Sequence, residues 1–342
     1  MADDRRPTVL ALRALQIGDL LVAVPALRSL RRAHPEHRLV LATSAALAPL
    51  VERIGGVDLV LATRDPTAVP WPGAAPDVAV NLHGTGPQSH RALDALNPGR
   101  RIGFRCGEAG PGWEGPAWDV VAAAYPHERA RWCALLEAVG IPADADDLRL
   151  PSPNPPGSTP AGAGLVDRPA DGSAAPVLVH PGAAFGAKRW PVERFAAVAA
   201  ALDGPSTPVL VTGSDAERDL AIAVGRRAGL PVDRVLAGRT DLGALCDLVA
   251  RAGLVISGDT GIAHLASAYR TPSVVLFGPV DPAQWGPPAE GPHVALAHPA
   301  ERRGARFVDE PDPALLAIGV EEVLAAAAAV AGLAGSRGST PR

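Results

Sequence analysis

Short apolar runs alternate along the chain with longer stretches in which apolar residues recur every three or four positions. In the first half, compact apolar runs predict strands at residues 8–12, 38–42, 57–62 and 77–82. The helical spacing predicts helices at residues 20–32, 45–54 and 128–139. Buried strands that alternate with helices are typical of a parallel sheet covered on both faces.

The pattern is interrupted at residues 141–175, where Pro, Gly, Ala, Ser and Asp dominate and no periodic apolar face is visible. We interpret this stretch as a linker or a loosely packed connection. Beyond it, the pattern predicts strands at residues 177–180, 208–212, 254–257 and 273–277. It predicts helices at residues 192–202, 216–227, 242–251, 262–268 and 313–332.

The expected architecture is therefore α/β, with two doubly wound Rossmann-like domains that face each other across a cleft. We place the first domain at residues 1–150, a Pro/Gly-rich linker at 151–175, the second domain at 176–333 and a flexible tail at 334–342. Ligands of such sheets bind outside the carboxyl ends of the strands, which makes the cleft the expected site.

Composition narrows the function classes. The 342 residues suit two domains, and a net charge of -4 gives no basic field of the kind that nucleic-acid binding requires. Cys106, Cys133 and Cys246 are widely spaced, which favours reduced thiols over a structural zinc site. The N-terminus lacks the apolar core of a signal peptide, and no apolar run approaches the roughly 20 residues of a membrane span. We expect a cytoplasmic protein with at most peripheral membrane association.

The turn Gly258-Asp259-Thr260-Gly261 lies between a short apolar strand and a helix. The unpaired N–H groups and partial positive charge at a helix start suit an anionic group such as phosphate. Capping of the helix by Asp259 or Thr260 explains this stretch equally well. His264, one turn into the helix, fits a core histidine as well as a ligand contact.

Three further segments follow predicted strands and carry candidate chemistry. Asp19 is either a favourable partner of its helix dipole or a general base that faces the cleft. Lys188 offers a positive charge to a phosphate or is an ordinary solvated lysine, although lysine is scarce in this chain. Glu217 completes a capping pattern with Ser214, or it accepts hydrogen bonds from ribose hydroxyls.

In this order and spacing, the segments resemble glycosyltransferase family 9, the heptosyltransferase family, which has a GT-B fold. The resemblance covers roughly residues 8–290 and rests on Gly18-Asp19 with Pro25 and residues 27–31, His180-Pro181-Gly182-Ala183 with Lys188-Arg189-Trp190-Pro191, Gly213 with Glu217, residues 257–266, and Phe277-Gly278-Pro279. It implies transfer of a sugar, heptose in the family, from a nucleotide-diphosphate donor such as ADP-heptose. The implied acceptor is a saccharide or glycolipid hydroxyl, commonly in the lipopolysaccharide core; natural-product and cell-wall glycosylation stay open as alternatives.

The resemblance also implies roles for individual residues. Asp19 matches the catalytic base, Lys188 the lysine that holds the donor phosphate, and Glu217 the acidic residue near the donor ribose. The remaining donor-binding positions are Gly182, Ala183, Gly213, Asp259, Thr260, Gly261 and His264. The positions assigned to the acceptor are Gly18, His83 and Arg105. No metal or other cofactor is expected, because enzymes of this fold stabilise the leaving group with helix N-termini and cationic side chains.

Several alternatives stay open at this point. A nucleotide-sugar epimerase or a dehydrogenase also suits paired doubly wound domains, although no GxGxxG follows the first strand. A non-catalytic relative that binds a nucleotide sugar is a third hypothesis. In residues 83–112, the basic side chains either contact an anionic acceptor or form a solvated face: His83, His90, Arg91, Arg100, Arg101 and Arg105.

Overall fold

A computed structural model describes residues 6–152 and 175–335 of the protein. Contacts within the chain divide it into two compact units, with the boundary between Leu150 and Pro151. We call them unit 1 and unit 2. Most of the linker predicted at residues 151–175 lies outside the described residues. So does most of the tail predicted at 334–342, except that the last helix continues to Gly335.

Unit 1 is built on five parallel strands in the order β3-β2-β1-β4-β5. The strands are β1 (Thr8–Leu12), β2 (Arg38–Thr43), β3 (Leu59–Ala62), β4 (Val78–Asn81) and β5 (Arg100–Ile102). The helices are α1 (Ile17–Val22), α2 (Val24–Ala33), α3 (Ala48–Ile54), α4 (Pro87–Asp94), α5 (Trp118–Ala124) and α6 (Glu128–Glu137). The central strand β1 pairs with β2 and β4, so that Leu10 lies between Val40 and Ala79.

Unit 2 repeats this plan with the strand order β10-β9-β8-β6-β7, again all parallel. The strands are β6 (Val177–His180), β7 (Val209–Val211), β8 (Leu254–Gly258), β9 (Ser273–Phe277) and β10 (His293–Ala297). The helices are α7 (Val192–Leu202), α8 (Arg218–Arg227), α9 (Leu242–Arg251), α10 (Gly261–Tyr269), α11 (Pro282–Trp285), α12 (Pro313–Ala317) and α13 (Val320–Gly335).

Each unit has its own hydrophobic core, because helices bury both faces of the central strands. In unit 1, Leu10 and Leu12 of β1 are fully buried beside Trp113 and Leu93. In unit 2, buried residues of β6, β8 and β9 pack with Phe195 and other side chains of the surrounding helices. Burial of apolar surface contributes about 25 cal/mol per Å², so these two cores dominate the favourable folding energy.

The order of the strands fixes where each unit can bind a ligand. In unit 1 the chain direction across the sheet reverses between the neighbouring strands β1 and β4, and in unit 2 it reverses between β6 and β8. At such a switch point the loops leave the sheet in opposite directions and open a crevice outside the carboxyl ends of the strands. The loops that follow β1, β4, β6 and β8 are therefore the candidate ligand-binding loops.

Two predicted helices are each divided in the structure. The helix predicted at residues 20–32 is interrupted at Ala23, which serves as C-cap of α1 and N-cap of α2. Pro25 lies in the first turn of α2, where its missing N–H is tolerated, whereas inside one continuous helix it would remove a hydrogen bond. The helix predicted at residues 313–332 is likewise two helices, α12 and α13, separated at Ile318 and Gly319.

Other elements were absent from the sequence prediction: β5, β10, α4, α5 and α11. The strand β5 contains Arg100 and Arg101, whose charged side chains hide its strand character. Within residues 6–152 and 175–335, none of the helices combines the length and the apolarity that a bilayer crossing needs.

Candidate functional site

The loops after β6 and β8 bring two charged side chains together at the switch point of unit 2. Nζ of Lys188 lies 2.7 Å from Oδ2 of Asp259, and the side chains are 23% and 6% exposed. Lys188 is the only lysine in the chain. A built Cβ atom at Gly258 would lie 3.0 Å from the carbonyl oxygen of Lys188, so the two loops pack closely. The ion pair is thus a largely buried contact at the carboxyl edge of the sheet and not a solvated surface contact.

Next to this ion pair, the helix α10 begins with its first turn open. Thr260 is the N-cap residue in an extended conformation, yet its side chain makes no capping hydrogen bond. Its hydroxyl oxygen is buried and has no partner among the described residues, and the same holds for the hydroxyl of Ser257 at the end of β8. Capping by Thr260 therefore does not explain this turn. The N–H groups of the first turn can bind an anion, and the N-cap residue Thr260 lies next to them.

Glu217 lies in the turn that follows β7, on the other side of β6. Its Oε2 accepts hydrogen bonds of 2.8 Å from both the backbone N–H and the hydroxyl of Ser214, so the predicted capping box forms. A Cβ atom at Gly182 would overlap with the Glu217 carboxylate, which shows that the 180–183 loop lies directly against it. Gly213 also faces the Glu217 side chain, where a Cβ would lie 3.3 Å from Cβ of Glu217.

The electrostatics around Glu217 involve a buried histidine. Burial lowers the pKa of His180, which the negative charge of Glu217 offsets only in part. Nδ1 of His180 lies 3.1 Å from the Thr212 hydroxyl. Burial raises the pKa of Glu217, but the hydrogen bonds from Ser214 and the positive charge of Arg189 act against it, and the pKa lies below its ordinary value. Glu217 is therefore a charged acceptor at neutral pH.

The remaining donor-loop positions lie at the same edge of the sheet. The carbonyl of Ala183 accepts hydrogen bonds of 3.0 and 2.9 Å from the Arg189 guanidinium, which fixes the 180–189 loop. Gly261 opens α10. His264 is only partly buried and packs edge-to-face on Trp285, with ring centroids 5.8 Å apart. It is therefore not a core histidine.

In unit 1, Asp19 lies after β1, a strand that borders the switch point of this sheet as β6 does in unit 2. Its Oδ2 accepts a 3.2 Å hydrogen bond from the Gln16 backbone N–H and caps α1, as expected for a partner of the helix dipole. Its Oδ1 lies 3.6 Å from a nitrogen of the buried Arg13 guanidinium, and Arg13 Nε donates to the Asp19 carbonyl at 2.9 Å. The Asp19 side chain is 26% exposed, so a substrate hydroxyl can reach it.

Arg13 contacts the candidate base Asp19 and is a candidate site residue that the sequence analysis missed. Its guanidinium also donates to the carbonyl of Leu82, at the end of β4, and lies 4.7 Å from the ring centroid of Trp132. It therefore ties together the carboxyl ends of the two strands at the switch point and the start of α1. An arginine directly after an apolar strand gives no sequence signal of burial. The one available signal is that Arg13 lies in the same strand-to-helix turn as Gly18-Asp19.

His83 and Arg105 lie at the same edge, after β4 and β5. Burial lowers the pKa of His83, as does the positive charge of Arg13, whereas Asp19 raises it. Its Nδ1 is buried without a hydrogen-bond partner among the described residues. Arg105 is exposed. The structure thus places Gly18, Asp19, His83 and Arg105 along neighbouring strands of one sheet edge.

The other basic residues of the 83–112 segment have structural partners. His90 is fully buried and bonds to the carbonyls of Gly86 and Phe104 at 2.8 and 2.9 Å. Arg100 pairs with Glu114 at 2.8 Å, and Arg101 pairs with Asp94 at 2.6 Å. His90 therefore belongs to the core, neither a solvated face nor an acceptor contact. In the described part of the chain, no three His, Cys, Asp or Glu side chains cluster as metal ligands do.

Comparison with known proteins decides the family. The sequence profile of Glycosyltransferase family 9 (heptosyltransferase) matches residues 92–306. The protein belongs to this family. Lipooligosaccharide heptosyltransferase 2 from Haemophilus influenzae is 37% identical over 114 residues, which cover 32% of each chain. Lipopolysaccharide heptosyltransferase 2 from Escherichia coli is 34% identical over 108 residues, 30% of each chain. The alignments thus span about a third of these curated relatives.

Solved structures resemble this protein in fold over nearly its whole length. The structure of Escherichia coli ADP-heptose LPS heptosyltransferase II has a TM-score of 0.75 at 20% identity, and covers 96% of this chain and 99% of that chain. A family 9 glycosyltransferase from Veillonella parvula has a TM-score of 0.74 at 19% identity, covering 97% and 99%. The predicted fold class, GT-B-like with two doubly wound Rossmann-like domains, is confirmed.

Proposed function

We propose that the protein is a glycosyltransferase that moves a sugar from a nucleotide-diphosphate donor to a hydroxyl of a saccharide or glycolipid acceptor. The observation that carries the proposal is the Lys188–Asp259 pair beside the open first turn of α10, at the switch point of unit 2. From the relatives named above we infer ADP-heptose as the donor and a lipopolysaccharide core saccharide as the acceptor.

In this proposal the donor diphosphate binds at the start of α10. Lys188 supplies a positive charge, Thr260 a free hydroxyl, and Gly261 a backbone N–H that the diphosphate can approach closely. Negative charge accumulates on the diphosphate as the glycosidic bond breaks. Charges that are already oriented toward it stabilise the transition state more than the ground state. We therefore propose that transfer needs no metal ion.

On the ribose side, Glu217 is the proposed acceptor of hydrogen bonds from the hydroxyl pair. One of its oxygens is already occupied by Ser214, which fixes the orientation of the carboxylate. The other oxygen faces the loop at Gly182, where the missing side chain leaves the carboxylate close to the backbone. An oriented charged acceptor of this kind loses little entropy on binding.

Asp19 is the proposed general base in unit 1. Its carboxylate accepts the proton of the acceptor hydroxyl while that oxygen bonds to the anomeric carbon of the donor sugar. The bond between the anomeric carbon and the diphosphate oxygen breaks, and the nucleoside diphosphate leaves with the electron pair. Arg13 holds the backbone of Asp19 in place, and His83 and Arg105 lie along the same edge as candidates for contacting the acceptor.

Calorimetric binding of a nucleotide-sugar panel without added metal tests the donor site. We expect an ADP-sugar to bind best, Lys188→Ala to weaken it by about 1–3 kcal/mol through the lost charged contact, and Asp19→Asn to change it little. Arg227→Ala is the matched control, because that cation is 52% exposed and pairs with Glu193 away from the site. Its effect should stay within about 0.5 kcal/mol. If all four proteins bind alike, or if none binds a nucleotide sugar, the donor-site proposal is wrong.

Turnover separates the alternatives. A transferase releases nucleoside diphosphate only when an acceptor saccharide is present, and Asp19→Asn lowers that rate by about 10²–10⁴-fold while donor binding persists. Conversion of the donor in the absence of any acceptor would instead indicate an epimerase. Donor binding without turnover on a panel of core saccharides would indicate a non-catalytic relative.

A further inference from the structure

Two aromatic rings lie exposed at the carboxyl edge of the unit 2 sheet. Phe185 belongs to the loop after β6, three residues before Lys188, and Phe307 belongs to the segment that follows β10. Their ring centroids are 5.0 Å apart and their planes meet at 75°. Phe307 is 76% exposed and Phe185 is 37% exposed. Phenylalanine is usually buried, so an exposed pair beside a ligand-bearing loop calls for an explanation.

The pair is held by backbone contacts and is fixed relative to Lys188. The N–H of Ala187 donates to the carbonyl of Val308 at 2.9 Å, and the N–H of Asp312 donates to the carbonyl of Ala187 at 3.2 Å. A Cβ atom at Gly186 would overlap with the Asp309 backbone, so only glycine permits this approach. We call residues 302–312 the strap. These contacts join the strap to residues 185–188, which we call the lysine loop, and the two rings touch each other where the segments meet.

The order of the strands shows which part of a donor would meet these rings. Across the sheet, the ribose candidate Glu217 follows β7, and the phosphate candidates Lys188 and Thr260 follow β6 and β8. The next strands in the same direction are β9 and β10, and the strap follows β10. A donor whose ribose lies near β7 and whose diphosphate lies near β6 and β8 therefore extends its remaining group toward the strap. In a nucleotide sugar, that group is the sugar.

We propose that Phe185 and Phe307 form a platform that packs against the sugar ring of the nucleotide-sugar donor; this inference rests on the proposed function. One face of a pyranose ring exposes several C–H groups, which carry a partial positive charge next to the ring oxygens and hydroxyls. The face of an aromatic ring is negative, so the two surfaces attract each other and exclude water. Phe307 is 76% exposed, so most of its ring surface is open to the sugar. Since phenylalanine makes no hydrogen bonds, the platform selects sugars by their C–H face.

Comparison of ADP with ADP-heptose isolates the sugar contact. Calorimetry would give both dissociation constants for wild type, Phe185→Ala, Phe307→Ala and the double variant. We expect each single variant to weaken ADP-heptose about three- to tenfold and to leave ADP unchanged. The two effects should not add in the double variant, because the rings touch each other. Val232→Ala is the matched control, an apolar side chain that is 83% exposed and begins the 3-10 turn Val232–Arg234.

The outcomes separate the two proposals. If ADP and ADP-heptose both bind to wild type and the phenylalanine variants bind ADP-heptose as tightly as wild type does, the platform is wrong and the donor site stands. An equal loss of affinity for ADP and ADP-heptose also overturns the platform, because the rings would then only support the lysine loop. If neither ligand binds to wild type, the donor site itself is wrong, and the platform falls with it.

Discussion

At the scale of single residues, Lys188 is the most informative position, because a chain with 32 basic residues contains only this one lysine. The primary amines open to an acylating reagent are therefore Lys188 and the terminal α-amino group. We expect ADP to slow acylation of Lys188 and to leave the α-amino group unaffected, since a bound diphosphate engages the ammonium. Peptide mass spectrometry measures both rates in one sample.

Two comparisons make the labelling decisive. Asp259→Asn removes the partner that lies 2.7 Å from the Lys188 ammonium, so this variant should be acylated faster than wild type in the absence of ADP. Equal acylation of Lys188 with and without ADP would show that the diphosphate does not bind there. The α-amino group is the internal control for reagent concentration.

The buried Arg13 leads to a second prediction at this scale, which concerns the stability of unit 1. Its buried guanidinium donates to the carbonyls of Asp19 and Leu82 and stacks on Trp132, so removal leaves buried acceptors without a partner. We expect Arg13→Met to lower the free energy of unfolding by about 2–4 kcal/mol. Urea denaturation measures the change. Arg32→Met is the control, since that guanidinium is 54% exposed in its pair with Asp147 and should cost at most about 1 kcal/mol. Equal losses for the two variants would contradict the role of Arg13.

At the scale of elements, strands and helices with a strong apolar pattern were predictable. The strands β1, β6 and β9 and the helices α7 and α9 have the predicted bounds, because buried strands of a parallel sheet are apolar throughout. The edge strand β10 was missed because only part of each side chain is buried, so its apolar signal is weak. The order of the strands, on which the switch points depend, is set by packing between distant segments and is invisible to local pattern.

Local pattern also identified single candidate site residues, whereas contacts between distant segments were missed. Asp19, Lys188, Glu217 and Asp259 follow apolar strands, where polar residues at a sheet edge are conspicuous. The ion pair between Lys188 and Asp259 joins loops 71 residues apart, and no local pattern reports such a distance. The contact of Phe185 with Phe307 likewise depends on the strap returning to the lysine loop.

The missed strand β10 carries a pH-dependent contact. His293 begins this strand and lies 2.9 Å from the Ser273 hydroxyl at the start of β9. Burial, with a smaller effect from Arg270, lowers the pKa of His293 to about 4. Its unfolded pKa is about 6.5, so between pH 6.5 and 4 the unfolded chain binds more protons at this position than the folded chain does. The stabilisation is complete above pH 6.5 and declines as the pH falls toward 4.

His293→Asn tests this contribution, because asparagine cannot be protonated in this range. We expect the free energy of unfolding of wild type to fall more steeply than that of the variant between pH 7 and pH 4.5, with a difference of up to about 3 kcal/mol. Urea denaturation at several pH values gives both curves. Parallel curves would show that His293 titrates normally in the folded protein.

At the scale of the whole molecule, two compact units with separate cores imply that ligand effects can be assigned to one unit. A ligand at 100 times its dissociation constant stabilises the state that binds it by about 2.7 kcal/mol. We expect ADP to slow amide hydrogen exchange in unit 2, most strongly around residues 180–188, 212–217 and 257–264, where the candidate donor groups lie. Buried strands of unit 1, such as Thr8–Leu12, should exchange at the same rate with and without ADP.

Lys188→Ala measured at the same ADP concentration is the control, since weaker binding should reduce the protection in all three segments together. Protection that appears first in unit 1 would place the nucleotide on the sheet that carries Asp19, and the assignment of donor and acceptor to the two units would have to be exchanged.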